Sequence, residues 1–354
     1  MSHHTDDTPR LGGGLWRGLR ARFYGNNFLV LITVILFVAI YLAGVIIYRN
    51  KNFGSLNSFF DMLNSNPGLI VIAAGMTMVL VSGGIDISVG AQVAMYCMMF
   101  AFFMENKGVN AYVMIVVVLV TGLVFGLVQG VLVAYFRIQP FIVTLAGMFF
   151  ARGMTAVISP QTIDITNKQF MNLALFKIKF PFGGYTNAGG VYQTPFIYLS
   201  VVLALVGLVA VYVIMTWTAF GRSVYAVGGS EQSALLMGLN PKSVKLRVYV
   251  FNGLLTAYGG FLFCLFSTGG AVEKAQGFEM QAIASSVIGG ALLTGGVGNV
   301  LGSFVGVLVQ TTIVKFINFN GTLANGWSSI VLAAIMSFFI ILQSVFTRLR
   351  ARRE

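Results

Sequence analysis

Long apolar runs alternate with short polar joints along nearly the whole chain. The first run, residues 28–48, carries no charge. Arg17, Arg20 and Arg22 precede it, as in a secretory leader. A leader's apolar core is about 7–15 residues long and ends at a small-residue cleavage site. This run is longer and shows no such site, so it reads as an uncleaved first span. Nine further apolar segments follow, near 67–81, 88–104, 111–136, 140–159, 195–216, 248–268, 277–293, 299–318 and 327–346. Pro67, Pro140 and Pro195 open segments, where a missing N–H costs little. The runs are continuously apolar rather than alternating, which excludes β-barrel spans. A helix of about 20 apolar residues crosses a bilayer. The pattern therefore predicts an all-α polytopic membrane protein with about ten transmembrane helices, one membrane domain covering residues 28–346.

Composition agrees. Apolar residues make up 57% of 354 and charged residues 9%, against about one quarter charged in a soluble domain. The mean hydropathy is +0.86. The 42 glycines suit helices that approach closely in lipid. The net charge of +12 raises nucleic acid as a partner, but the basic residues flank apolar spans and divide unequally between the two faces. With a cytoplasmic N-terminus, one face receives Arg10, Arg17, Arg20 and Arg22, then Arg137, Arg222, Lys242, Lys245 and Arg247, and finally Arg348, Arg350, Arg352 and Arg353. That is 13 residues against 7 on the other face, the bias expected of cytoplasmic loops. Both termini are then cytoplasmic: a polar, disordered tail over 1–27 and a basic tail over 347–354. Two connections are long, a periplasmic loop over 160–194 and a cytoplasmic loop over 217–247.

Catalytic sets are missing. His3 and His4 sit in the tail, and Cys97 and Cys264 lie inside apolar runs as core thiols. This leaves no Ser-His-Asp or Cys-His pair and no metal-ligand cluster. The stretch from Ile288 to Gly298 is Gly-rich, but no Gly-Lys-Ser/Thr occurs anywhere, so there is no phosphate loop. Those glycines predict a tight cytoplasmic turn and close helix packing. The chain reads as a non-enzyme without a cofactor of its own.

The densest local signal is Ser82-Gly83-Gly84-Ile85-Asp86-Ile87-Ser88-Val89-Gly90 between two short apolar segments. The glycines predict a broken helix near 82–90, with Ser88 suited to cap the restart. Broken helices mark substrate paths in transporters, since freed backbone groups are tolerated only beside a cavity or protein. Asp86 either lines such a path or satisfies N–H groups of the following helix. Uncharged polar residues recur within spans at Gln92, Gln129, Asn252, Gln281 and Gln310. Such amides hydrogen-bond sugar hydroxyls or glue helices together. With Asp86 and Ser88 they form the candidate translocation path. Arg152 and Lys315 are expected to pair with carbonyls or to snorkel.

The 217–247 loop carries one punctuated helix. Ser230 caps it, Glu231 places negative charge in the first turn, and Ala234, Leu235 and Leu236 supply an apolar patch. Gly238 stops it and Pro241 blocks continuation. A short amphipathic cytoplasmic helix near 230–238 needs a partner for its patch.

These stretches resemble the permease subunits of ribose- and galactofuranose-type ABC sugar importers, over about residues 60–346. The pattern is carried by Met76-Thr77-Met78-Val79-Leu80 leading into Ser82–Gly90, by Pro140-Phe141-Ile142-Val143-Thr144-Leu145-Ala146-Gly147-Met148, and by Ala226-Val227-Gly228-Gly229-Ser230-Glu231 through Met237-Gly238. It continues from Ala282 to Gly290, through Gly295-Gly296-Val297-Gly298, and at Ile317-Asn318-Phe319-Asn320-Gly321-Thr322-Leu323. The chain departs from it at Gln281, where relatives carry an acidic residue. The resemblance implies a bacterial inner-membrane permease that translocates a monosaccharide such as ribose, galactofuranose or fructose. It implies a second permease subunit, identical or paralogous, ATPase subunits that hold ATP and Mg, and an extracytoplasmic sugar-binding protein. The 230–238 helix, with Ser230, Glu231, Ala234, Leu235, Leu236 and Gly238, would then couple to the ATPase. Alternatives are a permease for branched-chain amino acids or a signalling furanose, and an ion-coupled secondary transporter.

Overall fold

The computed structural model describes residues 27–186, 192–321 and 326–351. The N-terminal tail lies outside the described residues except for Asn27. That residue opens α1 (Asn27–Ile47). A 3-10 turn at Arg49–Lys51 follows, then α2 (Leu56–Asn64), whose N-cap Ser55 accepts from the Ser58 N–H. Pro67 starts α3 (Pro67–Val81), bent by 60° from α2. Every residue of α3 is buried, which makes it the central helix. The chain then leaves helix until α4 (Val89–Glu105), confirming the expected break. Gly83 lies in the left-handed region there, at φ 81°, a conformation glycine adopts without strain.

Two long helices follow, α5 (Ala111–Ala134) and α6 (Pro140–Ile158). The long connection after them is not purely irregular. It holds β1 (Ile163–Asp164), α7 (Lys168–Leu175), β2 (Lys177–Lys179), β3 (Tyr185–Thr186), β4 (Tyr192–Gln193) and β5 (Phe196–Tyr198). β2 pairs antiparallel with β5, and β3 with β4. The all-α expectation is thus corrected by small strand pairs outside the long helices. They satisfy backbone groups that a 35-residue excursion would otherwise leave to water.

Next come α8 (Leu199–Trp217), α9 (Ala219–Gly229), α10 (Glu231–Leu236) and α11 (Pro241–Ser267). The sequence pattern predicts one short helix before the next span and reads Pro241 as a stop. The short helix does end before Pro241, at Leu236, and Pro241 is in addition the first residue of α11, where the Asn240 side chain accepts from the Ser243 N–H. Proline's fixed φ and missing donor suit that first position. After β6 (Gly269–Gly270), which pairs with β1, come α12 (Phe278–Ile288), α13 (Val300–Asn320) and α14 (Gly326–Ala351).

Each of the ten apolar segments coincides with a helix, but the lengths differ. Among the described residues, six helices are long and apolar enough to cross a membrane by themselves: α1, α5, α6, α8, α11 and α13. The bent pair α2–α3 raises this to seven. α12 ends at Ile288, where Gly289 and Gly290 turn the chain, with Gly290 at φ 95°.

Small residues set the packing. α5 crosses α11 at Gly122 and Gly253, so closely that a methyl added at Gly122 would lie 2.5 Å from the Gly253 carbonyl oxygen. Backbone approach of this kind stands in for the hydrophobic drive that lipid cannot supply. Arg152, the one cation of α6, donates from Nη1 to the carbonyls of Val272 (2.8 Å) and Lys274 (2.7 Å), the expected carbonyl pairing.

Candidate functional site

The helix break carries Asp86 into the protein interior. Asp86, Ser88, Gln92 and Asn252 are fully buried, and Gln129 nearly so. α11 supplies Asn252, α5 supplies Gln129, and the start of α4 supplies Gln92. Asp86 Oδ1 accepts from the Ser88 backbone N–H (2.9 Å) and from the Ser88 hydroxyl. Its Oδ2 accepts from Asn252 Nδ2 (2.7 Å). Ser88 Oγ in turn accepts from Gln92 Nε2 (2.7 Å) and Gln129 Nε2 (2.9 Å). Tyr96 donates its phenol to Gln92 Oε1 at 2.9 Å. Ser88 stands at the N-cap position of α4, but its side chain makes no cap bond. Its proton goes to the Asp86 carboxylate and its two lone pairs accept from Gln92 and Gln129, which leaves none for a backbone N–H of α4.

Five of the seven candidate path residues therefore meet in one sealed network that joins three helices. One gap remains: among the described residues, Asn252 Oδ1 is buried without a partner. Tyr249, one turn before Asn252, donates to the Ile85 carbonyl at 3.2 Å. Sequence reasoning passed over Tyr96 and Tyr249, because an aromatic in an apolar run gives no periodic or charge signal.

The other two candidates, Gln281 and Gln310, lie elsewhere. Gln310 Nε2 donates to the Gln281 carbonyl at 3.0 Å. Both line a cavity of about 520 Å³ with Asp61, Asn66, Thr311, Lys315, Asn318 and Phe319. Asn66 Nδ2 reaches Thr311 Oγ1 at 3.1 Å. Lys315 donates to the Ser58 carbonyl, faces Asp61 Oδ2 at 3.6 Å and lies 5.8 Å from the Phe319 ring centroid. Among the described residues, the side-chain amides of Gln281 and Asn318 have no hydrogen-bond partner, and both line the cavity. The walls thus combine amides, a hydroxyl, an ion pair and an aromatic face. Asp61 and Asn66 escaped the sequence reading because they sit on the helix before the expected span and at its edge.

α10 presents the third feature. Ser230 Oγ accepts from the Ser233 N–H, as expected of its cap, and Glu231 pairs with Lys245 at 2.6 Å. Gly238 follows the helix at φ 80°, the left-handed stop that favours glycine. The apolar patch is shifted relative to the sequence reading. Ala234 is fully buried against its own chain, while Leu235, Leu236 and Met237 are 62%, 89% and 66% exposed.

Comparison with known proteins agrees with this architecture. The family described as "Branched-chain amino acid transport system / permease component" matches residues 58–340. The chain is 36% identical to the inner membrane ABC transporter permease protein YjfF of Escherichia coli K12, covering 93% of this chain and 96% of the relative. It is 33% identical to the fructose import permease protein FruG of Bifidobacterium longum, over 88% of this chain and 89% of the relative. It is 31% identical to the ribose import permease protein RbsC of Escherichia coli K12, over 85% and 88%. No solved structure matches. A multi-pass helical protein with a buried polar break, matched over most of its length, belongs to the branched-chain amino acid transport system permease component family.

Proposed function

We propose that this chain is the membrane-spanning subunit of an ATP-driven importer for a monosaccharide. It would work beside a second permease, identical or paralogous, with ATPase subunits that hold ATP and Mg and a binding protein that delivers sugar outside. Relatives that cover most of the chain are named for fructose and ribose import, which supports a sugar over the amino acids in the family's title. The carrying observation in the structure is the cavity at Gln281 and Gln310. Uncharged amides and a hydroxyl match sugar hydroxyls, and the Phe319 ring suits a sugar's C–H face. Its volume lies within the usual range for small-molecule sites, about 300–1,000 Å³.

In this reading ten spans place both termini in the cytoplasm, with α2–α3 as one bent span and α4 and α12 as short ones. The cavity, near the α2 end of the bundle, then faces outward. The Asp86 network closes the inner half of the path in this conformation, and α10 rests on the ATPase.

The test is reconstitution of the purified complex in proteoliposomes with its binding protein and ATPase. Uptake of labelled sugar should require ATP, survive collapse of the proton gradient and resist competition by branched-chain amino acids. Uptake that follows the proton gradient instead would point to a secondary transporter. Competition by leucine but not by sugars would assign the cavity to an amino acid.

A further inference from the structure

Three glycine-containing stretches, far apart in sequence, meet backbone to backbone at one point. The Gly296 N–H donates to the Val81 carbonyl at 2.8 Å, just where α3 ends. That oxygen also faces Gly228 near the end of α9, so closely that a methyl added at Gly228 would run into it. A methyl added at Gly296 would lie 2.7 Å from the Gly229 Cα. One at Gly295 would lie 3.0 Å from the backbone of Gly83. Tyr225 on α9 adds a tether, donating its phenol to the Gly298 carbonyl at 2.9 Å. Side chains can give by changing rotamer, but backbone in direct contact with backbone cannot.

The position of this junction matters. On one side α9 leads directly into α10, with its exposed Leu235, Leu236 and Met237. On the other, Val81 is followed within five residues by Asp86 and its buried network. A second connection joins α10 to α11, the Glu231–Lys245 pair. Glu231 is about half exposed, and exposed pairs of this kind hold weakly. The backbone contact has no comparable slack.

The geometry points to the Val81–Gly228–Gly296 junction as the joint through which movement of α9 and α10 displaces the Asp86 loop. Gly228 and Gly296 are positioning residues here: they touch no solute and act through the loop that follows Val81. This rests on the import reading above, in which α10 meets the ATPase. The unsatisfied Asn252 Oδ1 fits a network that has a second arrangement, since a buried acceptor without a donor is costly in this one.

Neighbouring glycines supply an internal control. Gly228 and Gly229 are adjacent at the same helix end, yet a methyl added at Gly229 meets nothing within 4 Å. Both substitutions to alanine change helix propensity alike; only Gly228→Ala wedges the joint. The experiment measures ATP hydrolysed per sugar transported in proteoliposomes holding the full complex, after confirming that the ATPase co-purifies. Gly228→Ala should raise that ratio about fivefold or more, the usual floor for a coupling between sites, while Gly229→Ala keeps the wild-type ratio. A wild-type ratio in an assembled Gly228→Ala complex overturns the proposal. Should that variant fail to assemble, Tyr225→Phe decides. It removes only the tether, and an unchanged ratio there overturns the proposal, whereas a raised one supports it. A wild-type complex that moves no sugar with ATP would sink the import reading and this joint with it. Wild-type transport with unaltered ratios in the variants would sink the joint alone.

Discussion

A serine hydroxyl has one proton to give and two lone pairs to receive, and Ser88 uses all three. It donates to Asp86 and accepts from Gln92 and Gln129. Asp86 accepts from the Ser88 backbone and side chain and from Asn252. Asp86→Leu would leave these donors buried with no acceptor, at roughly 1–3 kcal/mol each. Asp86→Asn keeps one carbonyl oxygen and loses less. Thermal unfolding of the detergent-purified protein should therefore rank wild type above Asp86→Asn, and Asp86→Asn well above Asp86→Leu. The leucine variant should also accumulate poorly in the membrane. A leucine variant with wild-type level and wild-type melting would mean that the network contributes nothing to the fold.

At the scale of the element, α10 has only six residues. A helix that short does not persist on its own in water, so its cap and its contacts hold it. Ala234 turns inward and the chain from Leu235 to Met237 turns outward. Full burial of a leucine is worth about 1.5–3 kcal/mol, so three exposed apolar side chains at one corner call for a docking groove. Leu236, the most exposed of them, is the residue to change. Leu236→Asp should lower both co-purification of the ATPase and sugar-stimulated ATP hydrolysis by about tenfold, equivalent to about 1.4 kcal/mol. The amount of permease in the membrane should stay the same. If both measures hold at wild-type values, the contact lies elsewhere in the 217–247 loop.

For the whole molecule, orientation follows from the basic bias of 13 to 7 residues between alternate faces. The strand pairs around β2 and β5 should face outward, and α10 inward. In a cysteine-free background, Lys179→Cys on exposed β2 should react with an impermeant maleimide in intact cells. Leu236→Cys should react only after the membrane is opened. The opposite pattern would invert the topology. Much of this molecule was determined locally and is therefore legible in its sequence. Ten apolar runs, the break at 82–90, the Ser230 cap and the Gly238 stop each depend on neighbours within a few residues. So did the identity of the buried amides, because a polar side chain in lipid must find a partner. Gln92 found Ser88 one turn before it, but the partners of the others depended on distant helices. Tertiary contact brought Gln129 to Ser88 and Asn252 to Asp86, and sent Gln281 and Gln310 to a separate cavity with Asp61 and Lys315. It also turned Ala234 inward and pressed Val81, Gly228 and Gly296 together. No period or spacing encodes a meeting of residues that lie tens to hundreds of positions apart. Only the packed helices decide it, because contact between spans is set by which small residues let two backbones approach.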